Sequence, residues 1–155
     1  VDSLMKTNKC HIRQAIELLA PFKGKRFGFL GVTFKPGTDD MRESPTLEVM
    51  AELMAQGETI KAYDANLHFG PLLQGQIDYV RHAVPAQAKL MDELQDITVA
   101  SAEALIDTSD VIVVSHATEE FRRVVKERRT RALVLDLARL YKELPDDATY
   151  QGIAW

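Results

Sequence analysis

The chain has 155 residues, 46% of them hydrophobic and 27% charged, which is enough apolar material for the core of one globular domain. Its formal net charge of −4 excludes a broad cationic footprint for nucleic acid, so a polyanionic ligand requires a local cluster of cations. Cys10 is the only cysteine, which excludes an intramolecular disulfide, and no apolar run approaches the ~20 residues that span a bilayer. With no basic-then-apolar leader pattern at its start, the chain is expected to be cytoplasmic, with neither a membrane nor a nucleic acid as partner.

The first twenty residues carry a helical pattern. Ile12, Ala15, Ile16 and Leu19 recur at i, i+3, i+4 and i+7, and Pro21 and Gly24 end the stretch. A helix that starts at once, with no initiator methionine, is expected of a piece cut from a larger protein. Residues 26–32 (RFGFLGV) read as a buried strand bounded by Gly24 and the Pro36-Gly37 breaker. A polar loop, 33–43, leads to Ser44-Pro45, a serine N-cap followed by a proline at the first helical position. The helix places Leu47, Met50, Ala51, Leu53 and Met54 inward and stops at Gly57. Residues 59–63 (TIKAY) form a second strand, ending in Asp64.

Residues 65–96 show Gly70, Pro71, Gly75 and Pro85 among amphipathic pieces and predict no regular element throughout. Beyond them the pattern predicts a short strand at 97–100 and a helix at 101–108 capped by Ser101. It then predicts a β-branched strand at 111–115 (VIVVS), a charged amphipathic helix at 118–129, an apolar strand at 132–137 and a last strand within 150–155. Strands alternating with helices predict an α/β, Rossmann-like three-layer fold with a mostly parallel sheet, joined by right-handed crossovers.

Ligands of open α/β sheets bind beyond the carboxyl ends of the strands, where the strand order reverses. A self-sufficient dinucleotide site would carry G-x-G-x-x-G after the first strand, so that backbone amides can approach the pyrophosphate. Here only Gly31 and Gly37 are present, with Phe34 and Pro36 between them. In place of the glycines stand two cations, Lys35 and Arg42, either to meet a phosphorylated ligand or to pair on the surface with Asp39, Asp40 and Glu43. Asp64 reads as a strand-terminating turn residue and His116 as a loop-bonding side chain near the binding edge. Cys10 reads as a plain semi-buried thiol. No metal-ligand spacing and no nucleophile with its base is present, so no catalytic residue is assigned.

The run Gly28-Phe29-Leu30-Gly31-Val32-Thr33-Phe34-Lys35-Pro36-Gly37-Thr38-Asp39-Asp40-Met41-Arg42-Glu43-Ser44-Pro45 closely resembles the signature that opens the C-terminal domain of the UDP-glucose/GDP-mannose dehydrogenase family. The resemblance continues to Asp64, weakens over 65–96 and returns over 102–121. The ending Gly152-Ile153-Ala154-Trp155 is similar to that of the GDP-mannose 6-dehydrogenase branch. Ser3-Leu4-Met5-Lys6-Thr7-Asn8 resembles the end of the family's central linking helix, so the resemblance divides the chain into that helix end, 1–20, and a nucleotide-sugar-binding domain, 21–155. It implies part of a homo-oligomeric enzyme that oxidises C6 of UDP-glucose or GDP-mannose to a carboxylate for polysaccharide biosynthesis. NAD would be bound mainly by a separate N-terminal domain, and the catalytic cysteine would lie upstream of this chain. By motif position Phe34 and Lys35 would contact the nucleotide sugar and Arg42 the NAD. The competing expectation is a stand-alone, degenerate Rossmann module that binds a nucleotide or mediates assembly without catalysis.

Overall fold

A computed structural model describes residues 2–128 and 132–152. Five strands, β1 (Arg26–Leu30), β2 (Thr59–Tyr63), β3 (Val111–Val114), β4 (Leu133–Asp136) and β5 (Tyr150–Gly152), form one sheet in the order β2-β1-β3-β4-β5, and every neighbouring pair is parallel. The short apolar runs suit strands covered on both faces, and the alternation of side chains along them builds two cores. Phe27, Phe29, Val111, Val113 and Leu135 face one layer, made by α1 (Asp2–Leu19), α2 (Pro45–Ala55), α3 (Pro71–Ala83) and α4 (Ala88–Ile97). Leu30, Ile112, Val114 and Val134 face the other, made by α5 (Ala102–Asp107) and α6 (Glu119–Arg128). The fold is the Rossmann-like, three-layer α/β architecture that the alternation predicts.

The stripe on α1 packs on its own unit: Ala15 and Leu19 are buried, with Ile12 and Ile16 partly buried against the same core. Cys10, expected to be semi-buried, is exposed on this helix. Helix α2 ends in a Schellman motif, because Gly57, at φ +84°, lets its own N–H reach the Met54 carbonyl and the Glu58 N–H reach that of Leu53, each at 3.0 Å. Its start departs from expectation. Ser44 holds the N-cap position, but its hydroxyl donates to the Val32 carbonyl at 2.7 Å instead of capping the helix amides. Ser101 does cap α5, accepting from the Ala104 N–H at 3.1 Å. The turn just after that helix also explains Gly28, since a Cβ there would collide with the Ser109 hydroxyl.

The unread middle is helical. Pro71 opens α3, a turn of 3-10 helix covers Pro85–Gln87, and α4 follows at once. Arg81 ties the two helices together, 3.0 Å from Asp78 and 2.8 Å from Asp92. The strand expected at 97–100 is absent as such: α4 runs through Ile97, and Thr98 makes an isolated bridge to Ala62. The last strand is β5; residues 153–155 and Arg129, on which two of the expectations partly fall, lie outside the described residues. No helix among the described residues is long and apolar enough to cross a membrane.

Candidate functional site

The chain leaves β1 toward β2 on one side and places β3 on the other, so the order reverses between β1 and β3. A cavity of about 190 Å³ opens there, at the carboxyl ends of the strands. The loop after β1 supplies Thr33 and Phe34, and the first turn of α2 supplies Pro45 and Thr46. Ser115 and His116 close it from the end of β3, and Ile12 and Ala15 of α1 form an apolar side. A larger hollow, about 680 Å³, lies at the amino ends of the strands. Its arginines are already matched, Arg26 to Asp110 at 3.1 Å and Arg128 to Asp107 at 2.7 Å. Hydrogen bonding by Arg26 holds the Asp110 carboxyl down at about 2. The smaller cavity is the candidate site, because it sits at the switch point and carries the motif loop.

Asp64 organises the root of that loop. Its Oδ2 accepts from the Val32 N–H at 2.8 Å and the Thr33 N–H at 3.0 Å, and lies 3.1 Å from the Thr33 hydroxyl. Its Oδ1 accepts from the Asn66 N–H at 2.9 Å, the turn role its place in the sequence predicts. His116 places Nε2 2.8 Å from the Thr33 carbonyl oxygen. Further along, the Phe34 N–H donates to the Asp40 carbonyl at 2.7 Å, and the buried Met41 donates its N–H to Gln76 Oε1 of α3 at 2.9 Å. The loop is therefore a closed, anchored structure.

On it, Phe34 stands 51% exposed and forms part of the cavity wall. Lys35, the next residue, is exposed and forms no ion pair with any described residue. Arg42 is also exposed and holds Asp40 through two bonds, Nε to Oδ1 at 3.0 Å and Nη2 to Oδ2 at 3.2 Å. This fork lowers the Asp40 pKa, and Asp40 in turn raises that of the guanidinium. Of the three residues predicted from sequence, the cavity wall contains Phe34; Lys35 and Arg42 stand on the same loop outside it. The surface-pairing alternative thus describes Arg42, through Asp40, and not Lys35.

The wall also holds Thr46 and Ser115, which the sequence reading did not single out. Their signal was positional: one lies in the first turn of α2, the other directly after β3. Among the described residues no group of three His, Cys, Asp or Glu side chains is placed to hold a metal ion. His116 spends Nε2 on a backbone carbonyl. The arrangement combines features that suit a binding site: an apolar wall with an aromatic ring, a helix N-terminus, and a cation with no ion-pair partner among the described residues on the loop that enters it.

Comparison with known proteins agrees with that chemistry. Residues 28–143 match the model of the UDP-glucose/GDP-mannose dehydrogenase family, UDP binding domain. GDP-mannose 6-dehydrogenase of Pseudomonas putida is 30% identical over 156 aligned residues, which cover 100% of this chain and 34% of that protein. UDP-glucose 6-dehydrogenase of Rickettsia bellii is 26% identical over 127 residues, covering 79% of this chain and 26% of that one. The crystal structure of a ternary complex of GDP-mannose dehydrogenase from Pseudomonas aeruginosa superposes with a TM-score of 0.78 at 26% identity, covering 99% of this chain and 34% of that one. The chain thus spans about a third of the length of the relatives it matches over its full extent. It belongs to the UDP-glucose/GDP-mannose dehydrogenase family and carries that family's UDP binding domain.

Proposed function

We propose that this chain is the C-terminal, nucleotide-sugar-binding domain of an NAD-dependent nucleotide-sugar 6-dehydrogenase acting on UDP-glucose or GDP-mannose in the cytoplasm, for polysaccharide biosynthesis. The observation that carries the reading is the anchored loop that brings Phe34 to the switch-point cavity with Lys35 unpaired beside it. The reaction converts a primary alcohol to a carboxylate: two hydrides pass to two molecules of NAD, and water supplies the second oxygen. The loop lacks the glycines of a dinucleotide cradle, in keeping with the family resemblance, which implies that NAD is held mainly by a separate N-terminal domain. The intact enzyme is a homo-oligomer.

In this reading Phe34 packs on the nucleotide sugar and Lys35 binds its charged or hydroxyl oxygens. Arg42 reaches the NAD phosphates. To do so it exchanges Asp40 for a phosphate, and a solvent-exposed pair gives way at little cost. The test is kinetic, on the intact enzyme. Lys35→Ala raises the apparent constant for the nucleotide sugar roughly ten- to a hundredfold, the value of a charge-assisted hydrogen bond. Arg42→Ala raises the constant for NAD, and Arg42→Lys restores it only in part, because an ammonium cannot form the bidentate fork. Both constants staying at wild-type values would refute the roles assigned to Lys35 and Arg42, and no turnover by the intact protein with either nucleotide sugar would favour a binding or assembly module without catalysis.

A further inference from the structure

Two buried polar side chains hold the loop from within, Asp64 behind it and His116 in the cavity wall. Asp64 and His116 are each 4% exposed and come from the ends of different strands, β2 and β3. Asp64 Oδ2 takes the N–H groups of Val32 and Thr33, at 2.8 and 3.0 Å. His116 Nε2 lies 2.8 Å from the Thr33 carbonyl. A carbonyl only accepts, so the ring carries its hydrogen on Nε2 and donates. Its Nδ1 then faces Asp64 Oδ2 at 3.8 Å. Thr33 is therefore gripped on both its backbone groups, and the next two residues are Phe34 and Lys35.

Gly31, two residues before Thr33, shows how closely the ring is seated. Gly31 has φ +98°, and a Cβ there would lie 2.6 Å from His116 Cγ. Water alone satisfies the amides of an ordinary surface loop; burying a carboxylate is costly and is offset here by the donors that converge on it. We infer that Asp64 and His116 are positioning residues, which fix the direction in which Phe34 and Lys35 leave β1 toward the nucleotide sugar. This rests on the proposed function and adds to it the residues that preorganise the binding loop. Arg42, near the far end of the loop, has other anchors beside it: the Met41 N–H on Gln76 and the Ser44 hydroxyl on the Val32 carbonyl.

The experiment uses the intact enzyme, with steady-state constants for both substrates. His116→Ala raises the apparent constant for the nucleotide sugar about tenfold, while that for NAD stays within about twofold. His116→Gln, whose amide N–H takes the place of Nε2–H, restores most of the loss. Combined with Lys35→Ala, the alanine variant costs less than the product of the two single effects, because a lysine on a misdirected loop has less left to lose. If His116→Ala does not accumulate as folded protein, Asp64→Asn, which turns an amide nitrogen toward groups that donate, takes its place with the same expectations for the single and double variants. An unchanged nucleotide-sugar constant, an equal rise in both constants, or a double variant equal to the product overturns the inference. If Lys35→Ala itself has no effect, the proposed function fails and this inference falls with it. If Lys35→Ala acts and His116→Ala does not, this inference alone fails.

Discussion

Replacing Gly31 by alanine probes the junction between β1 and its loop with one methyl group. The backbone there has φ +98°, where an L side chain costs about 1–2 kcal/mol. The new Cβ would also lie 2.6 Å from Cγ and 2.7 Å from Nδ1 of His116, so the ring must move off the Thr33 carbonyl. Leaving that buried pair unmade costs about 1–3 kcal/mol. The stiffer unfolded chain returns about 0.4–1 kcal/mol, giving a net loss of about 1–5 kcal/mol. Gly57→Ala supplies the control, because Gly57 has φ +84° and nothing within 4 Å of the added Cβ. It meets the backbone term alone and loses about 0–1.5 kcal/mol, short of the Gly31 loss by the cost of the displaced ring. Urea unfolding of the two variants at constant m-value measures both numbers. Equal losses, within about 0.5 kcal/mol, would show that the ring is not seated on the backbone and would refute the reasoning.

Two further outcomes follow from buried or half-buried tyrosines. Tyr150 donates its hydroxyl to Asp136 Oδ2 at 2.6 Å where both residues are buried, so Tyr150→Phe should lose about 1.5–3 kcal/mol in the same unfolding assay; a loss under about 0.5 kcal/mol contradicts this. The Tyr63 hydroxyl is pushed up to about 12, first by burial and then by the Glu120 carboxylate 3.2 Å away. A raised folded-state value means that the stabilisation is fully present below the ordinary tyrosine value near 10 and is lost as pH rises from there through about 12. Phenolate absorbance should therefore show Tyr63 ionising late, and Tyr63→Phe should remove that late step; a titration curve that keeps it assigns the step elsewhere.

Legibility followed how local the determinants are. Strand β2 was read to the residue, and β1, β3 and β4 within one or two at each end, since each is a short apolar run between breakers. Helices α3 and α4 were not read. The buried stripe of α3 is only Leu73, Ile77 and Val80, interrupted by Gly75, and that of α4 is Leu90, Met91 and Leu94 behind Pro85. Ser44 was legible as a position but not in its bond, because the Val32 carbonyl that takes its hydroxyl lies twelve residues away. The candidate site divides in the same way. Phe34, Lys35 and Arg42 sit in one contiguous motif. The groups that hold the loop come from 31 and 83 residues beyond Thr33, and no local pattern joins Asp64 to His116.

The central claim, that this domain serves the oxidation of a nucleotide sugar by NAD, is tested most directly by the stoichiometry of the intact enzyme. With UDP-glucose and GDP-mannose offered separately, NADH and remaining sugar nucleotide are measured together. The account predicts that one of them is consumed with two NADH formed per molecule, because alcohol to carboxylate is two successive hydride transfers. It also predicts that the 155-residue chain alone, without an NAD cradle, forms none. One NADH per sugar, no NADH with either substrate, or turnover by the isolated chain would contradict it.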